Sequence, residues 1–218
     1  MQEMWARIFV VLIVLAGCPG LAEAHRLDEY LQATRLAIDV DRVGLEIDLT
    51  PGVRVAASVL AWLDTNGDGR ISSAEGDTYA RQVLGAVGLS ADGRRAALAL
   101  VDSRFPDVRD MADGSGVIRI QATAHIPSTG SGRHQLAYFN GHHPEMSVYL
   151  VNTLVPADPR IQVGGQQRDP AQHRLTVDYE VTAGRAWTRA SWLLGGIISI
   201  GLLFVGRRRR VNPASRLG

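Results

Sequence analysis

Residues 64–75, DTNGDGRISSAE, place oxygen-bearing side chains at the first, third, fifth and ninth positions and end on a glutamate. A hard divalent cation takes oxygen ligands in that order from a twelve-residue EF-hand loop. Side chains come from the first, third, fifth and twelfth residues, a backbone carbonyl from the seventh, and the ninth often acts through water. Those places hold Asp64, Asn66, Asp68, Glu75, Arg70 and Ser72, with Gly69 at the sixth, where the chain turns sharply. The pattern D-x-[DN]-x-[DN]-G-x5-E is complete. Asn-Gly and Asp-Gly are also strong turn dipeptides, but a bare surface turn requires neither Glu75 nor helices on both sides. A bidentate glutamate and a seven-oxygen shell suit Ca2+ better than Mg2+. No second loop accompanies the first, since Asp107, Asp110 and Asp113 lack both the spacing and the terminal glutamate and read as a solvated turn. An unpaired loop outside the cytosol implies a site that orders its two helices by linkage rather than a paired sensor.

The histidines offer a second chemistry. If the mature chain starts at His25, a free α-amine and an imidazole share one residue, an arrangement that chelates copper or nickel. His142 and His143, in the loop Asn140-Gly141-His142-His143-Pro144, are its best partners, as surface residues. His125 reads as solvent-exposed, whereas His134 and His173 share parity with Leu136 and Leu175 and read as partly buried structural residues. The alternative function is therefore an accessory protein that handles nickel or copper. The chain has no nucleophile elbow, phosphate-cradling glycine loop, CxxC or HExxH, so no enzymatic activity is expected.

The elements that must position these residues are mostly strands. Val43, Leu45, Ile47 and Leu49 alternate with Gly44, Glu46, Asp48 and Thr50, and Leu36, Ile38 and Val40 alternate just before them. This period of two predicts a hairpin turning at Asp41-Arg42. Further strands are predicted over 95–103, 117–125, 135–139, 146–154 and 174–181, separated by Gly, Pro and Asn clusters. That spacing indicates a mainly β fold, an antiparallel, Ig-like β-sandwich. Between about 53 and 87 the period changes: Ala56, Val59, Leu60 and Leu63 precede the loop at helical spacing, and Ala80, Val83, Leu84 and Val87 follow it. A helix–loop–helix is thus inserted into the sandwich.

The two ends set the compartment. Residues 8–17 (IFVVLIVLAG), preceded by Arg7 and followed by Ala22-Glu23-Ala24, read as a signal peptide over 1–24, too short to span a bilayer. Leu15-Ala16-Gly17-Cys18 also resembles a lipobox, which would instead leave a lipidated Cys18 at the mature terminus. Residues 191–206 (SWLLGGIISIGLLFVG) form a second apolar run of roughly 24 Å at ~1.5 Å per residue. Extended back to 186, with Trp187 and Trp192 near the headgroups, it reaches spanning length. Four consecutive arginines, 207–210, then place the tail 207–218 in the cytoplasm and the body 25–185 outside it; a removable sorting tail has the same outline. The overall charge is +1, but the exported body carries 16 Arg against 20 acidic residues, a net of −4. Nothing there favours nucleic acid. Cys18 is the sole cysteine, so the body has no disulfide.

The order of these features resembles the exported N-terminal region of bacterial membrane proteins of the HupE/UreJ type. The resemblance rests on the mature start HRLDEYLQA at 25–33, LTPGV at 49–53, the single EF-hand loop, and SVYLVN at 147–152. It implies a periplasmic module on a bacterial inner membrane, working beside a membrane partner of the metal-transport type. The longer relatives continue into a multi-helix membrane domain, whereas this sequence shows one apolar segment after Val181.

Overall fold

The structure, a computed structural model, describes residues 28–127 and 130–183. The expected leader, Cys18, His25, the apolar run 191–206 and the basic tail lie outside those residues. Among the described residues no helix is long and apolar enough to cross a membrane.

The first two strands form as their period of two requires. β1 (Tyr30–Ile38) and β2 (Arg42–Pro51) pair antiparallel in unbroken register from Tyr30 opposite Pro51 to Ile38 opposite Val43. Their inward residues, among them Leu36, Val43, Ile47 and Leu49, are fully buried. β6 (Ile118–His125) extends the sheet beyond β2, and β5 (Leu98–Arg104) pairs with β6. On the other side β8 (Ser147–Thr153) joins β1 in parallel, which gives the order β5-β6-β2-β1-β8.

The second sheet has the order β4-β3-β7-β10-β9, built from β3 (Val87–Ala91), β4 (Arg94–Arg95), β7 (Gly132–Asn140), β9 (Ile161–Arg168) and β10 (Arg174–Val181). Every pairing in it is antiparallel. One hydrophobic cluster is shared by the inner faces of both sheets, joining Leu36, Leu45 and Ile120 to Leu89, Leu136 and Val177. Each such fully buried aliphatic side chain contributes roughly 1.5–3 kcal/mol relative to leaving it exposed. The fold is mainly β, with two mostly antiparallel sheets.

Three strand readings change. The predicted strand 95–103 is divided between β4 and β5, which lie in different sheets. Val87, expected on the second helix, opens β3, because that helix stops at Gly85. β9 was not foreseen; Gln162, Gly164, Gly165, Gln166 and Gln167 give it no apolar alternation, and tertiary pairing with β10 decides its conformation. Asp107, Asp110 and Asp113 flank or lie in a short helix, α3 (Val108–Ala112), anchored by the buried Met111.

The insert holds two helices. α1 (Val53–Leu63) follows Pro51-Gly52 without a side-chain cap and buries Ala56, Val59 and Leu63. α2 (Ser73–Gly85) starts at a full capping box: Ser72 accepts from the Glu75 N–H while the Glu75 carboxylate accepts from the Ser72 N–H. Its buried face is Gly76, Tyr79, Ala80, Val83 and Leu84. Gly76 is glycine for steric reasons, since a Cβ there would stand 2.6 Å from Cε2 of Phe105. Gly76→Ala is expected to lower the free energy of unfolding by about 1–3 kcal/mol, the usual result of overpacking. Denaturant titration checks this, and an unchanged midpoint would show that Phe105 yields freely.

Candidate functional site

α1 ends where Asp64 leaves helical geometry, its N–H still bonded to the Leu60 carbonyl at 2.8 Å. The chain then turns through Gly67 at φ +71° and Gly69 at φ +76°. These are left-handed conformations that glycine enters without the steric cost of a Cβ. The candidate ligands fold inward on backbone donors. Asp64 accepts from the N–H groups of Asp68 and Gly69 at 3.1 and 2.8 Å, Asn66 Oδ1 from Asp68 N–H at 2.8 Å, and Asp68 Oδ1 from Arg70 N–H at 2.9 Å.

Glu75 closes the loop. Its Oε1 accepts from the Thr65 N–H at 2.9 Å, the Thr65 hydroxyl at 3.0 Å and the Asn66 N–H at 3.3 Å. Its Oε2 accepts from the Ser72 N–H and hydroxyl at 3.0 and 2.7 Å. One carboxylate therefore ties the exit of α1 to the cap of α2. The donors from Ser72 and then Thr65 favour its charged form and pull its pKa down to about 2.

The donor set suits a hard cation in kind, being entirely oxygen and including three carboxylates. An ionised carboxylate offers about four lone-pair sites, so Asp64 and Asp68 keep acceptor capacity beyond their N–H bonds. Glu75, with five donors on two oxygens, would have to exchange some of them for a metal. Among the described residues no three His, Cys, Asp or Glu side chains converge closely enough to hold a metal as they stand.

Next to the loop, the insert is fastened to the sandwich by aromatic and polar contacts. Trp62, on the last turn of α1, stacks on the His143 ring at 3.8 Å with the planes 6° apart. Tyr79 of α2 shares a 2.7 Å hydrogen bond with the hydroxyl of Tyr30 on β1 and a 3.2 Å bond with His142 Nε2. The connection between β7 and β8 that carries both histidines is held by buried amides. Gln32, fully buried, donates to the His142 carbonyl at 2.7 Å and accepts from Asn140 Nδ2 at 3.0 Å, while Asn140 Oδ1 accepts from the His142 N–H.

His142 and His143 are thus neighbours, with ring centroids 4.3 Å apart, but His142 is not the surface residue expected. It is 6% exposed, packed edge-on to Tyr30 and Tyr79. His143, at φ +49°, is half-buried beside Glu145, whose carboxylate is 3.2 Å from Nδ1. His125 is exposed, as its strand position implied. His134 is paired with Asp92 at 2.8 Å and His173 with Asp169 at 2.9 Å, both half-buried. The helical spacing marks Tyr79 as one residue before the buried Ala80, and the strand parity puts Gln32 inward with Tyr30 and Thr34. Sequence position alone does not say that these side chains meet.

No family model, curated protein or solved structure matches this chain.

The cluster makes stability depend on pH. Burial, and then the neighbouring His143 charge, push the His142 pKa down to about 4 from an ordinary 6.5. Between those values the unfolded chain binds more protons than the folded one. The contribution is therefore complete above about pH 6.5 and is lost as the pH falls toward about 4, a difference of about 3 kcal/mol. His134 acts in the opposite sense, because its bond to Asp92 raises its pKa. Glu75, with its lowered pKa, holds its contribution down to about pH 4.5 and loses it only below that. Denaturant unfolding across this range is expected to show stability falling with acidification, with the slope between about pH 6.5 and 4 flattened in His142→Gln. An unchanged slope in that variant would assign the dependence elsewhere.

Proposed function

We propose that this protein is a calcium-binding, non-enzymatic interaction module, an Ig-like sandwich carrying one EF-hand and held outside the cytoplasm of a bacterium by a C-terminal inner-membrane helix. The observation that carries the calcium reading is the complete order of oxygen donors between two helices, with Gly69 in the left-handed conformation at the sharp-turn position. Asp64, Asn66, Asp68 and Glu75 would hold the ion by side-chain oxygens, Arg70 by its carbonyl and Ser72 through water. The ion would supply positive charge among three carboxylates that share one loop. Glu75 already connects the two helix ends, so a bound calcium would replace some of its donors and stabilise the docked insert by the difference.

The membrane placement rests on the apolar run 191–206 and the arginines after it. The partner proposed is a membrane protein of the metal-transport type, in line with the HupE/UreJ resemblance.

Calorimetric and thermal titration of the purified protein tests the calcium reading. Free calcium at about ten times the dissociation constant is expected to add about 1.4 kcal/mol to stability. Glu75→Gln should abolish the response. Asp68→Asn keeps an oxygen for the Arg70 N–H while losing a charge, and should weaken calcium binding without the loss of loop closure expected in the Glu75 variant. No heat and no thermal shift at millimolar calcium, or an unaltered response in both variants, would overturn the proposal.

A further inference from the structure

The described residues contain two Asn-Gly pairs, Asn66-Gly67 and Asn140-Gly141, and the fold treats them in opposite ways. An asparagine before glycine is open to attack from its own chain. The next backbone nitrogen can bond to the side-chain carbonyl carbon and close a five-membered ring, and glycine has no Cβ to obstruct the approach. The ring closes where the glycine N–H is free of an acceptor, the carboxamide can move and water reaches both.

Asn66-Gly67 meets these conditions. Both residues are exposed, and nothing stands within 4 Å of where a Cβ would lie on Gly67. The Gly67 N–H makes no hydrogen bond among the described residues, although the N–H groups of Thr65, Asn66, Asp68, Gly69 and Arg70 around it are all bonded. Asn66 Oδ1 accepts from the Asp68 N–H at 2.8 Å, which closes a ring of atoms containing the Gly67 nitrogen and turns the carboxamide back toward it. The same donor polarises the carbonyl and is in place to carry the oxyanion that forms when the carbon is attacked. Asn66 Nδ2 is held by one 3.3 Å bond to Asp68 Oδ2.

Asn140 also accepts from the N–H two residues on, that of His142 at 3.0 Å, so this bond does not separate the two pairs. Burial and the glycine do. Asn140 is 1% exposed, its Nδ2 donates to the buried Gln32, and the Gly141 N–H is spent on the Ala86 carbonyl at 3.0 Å. Asn152, the third described asparagine, lies inside β8 before the β-branched Thr153.

From this contrast we infer that Asn66 is a site of spontaneous modification, converted through a succinimide to aspartate and isoaspartate. The Gly67 nitrogen gives its proton to solvent and bonds to Asn66 Cγ. The Cγ–Nδ2 bond breaks, and Nδ2 takes a proton from solvent and leaves as ammonia. Water then opens the imide at one of its two carbonyls. Opening at Cγ restores the ordinary backbone and leaves aspartate, a fourth carboxylate beside Asp64, Asp68 and Glu75. Opening at the backbone carbonyl routes the chain through Cβ and Cγ and lengthens it by one atom. That form puts the Thr65 and Asn66 N–H groups, which Glu75 accepts from, out of step with Gly69 and Ser72. The chemistry is independent of whether calcium binds.

Incubation of the folded full chain at mildly alkaline pH, then tryptic digestion and mass spectrometry, tests the inference. Peptide 55–70 carries Asn66 and no other asparagine, whereas peptide 134–160 carries Asn140 and Asn152. The first is expected to gain about 1 Da, the difference between a carboxylic acid and an amide, in two chromatographic forms that both place the added mass at Asn66. The second should change at least about tenfold more slowly, because Asn140 reacts only from an opened state. In denaturant both Asn-Gly pairs should react at similar rates, as they share a dipeptide and differ in the fold. Asn66→Gln should abolish the change in 55–70. Three results would each overturn the inference: equal rates at Asn66 and Asn140 in the folded protein, a gain at Asn66 in a single chromatographic form, or no gain there while the denatured chain reacts.

Discussion

The hydroxyl of Tyr79 is where the helical insert and the sandwich exchange polar partners, bonded to Tyr30 on β1 and to His142 beyond β7. Burial obliges this meeting. Tyr79 and Tyr30 are nearly inaccessible, so each hydroxyl needs a partner or loses the water it left behind. The same requirement extends through His142 to Gln32 and Asn140, whose amides satisfy one another and the connection between β7 and β8. With no cysteine in the described residues, this network and the apolar faces of α1 and α2 hold the insert in place. Remove one member and the others are left buried without partners, at roughly 1–3 kcal/mol each.

The loop 64–75 hangs from this anchor. Trp62 stacks on His143 one residue before α1 ends, and Tyr79 lies four residues after Glu75, so both ends of the loop continue into the cluster. Glu75 closes the loop through hydrogen bonds to Thr65, Asn66 and Ser72. This changes the role proposed for a metal. The three carboxylates do not need an ion to fold inward, because loop N–H groups already receive them. An ion bound at Glu75 would replace some of these donors with a stronger charge, and its effect on stability is the difference between the two.

Much of the sandwich was legible because its strands alternate strictly. β2, β6 and β10 lie within about two residues of their predicted spans, whereas β1 begins at Tyr30, well before the predicted Leu36, and ends before Val40; the same alternation puts Leu45 and Ile47 in the core. β9 carried no such signal, and the short β4 depends on a turn at Asp92-Gly93 rather than on a pattern. For the loop, spacing located both flanking helices. It did not reveal that Glu75 serves as the α2 cap and the loop closure, since the capping box and the metal motif call for the same glutamate. His142 was misplaced at the surface because a His-His-Pro loop looks solvated; its ring is buried against Tyr30 and Tyr79, residues far away in the chain.

Hydrogen exchange of the backbone amides, with and without calcium, addresses the coupling of loop to anchor most directly. The account predicts that calcium slows exchange at Gly69, Ser72 and the first turn of α2, with a smaller slowing carried to Tyr79 and to His142. Exchange in β6 and β10 should stay as it was. Identical exchange with and without calcium, or slowing spread evenly over both sheets, would contradict it.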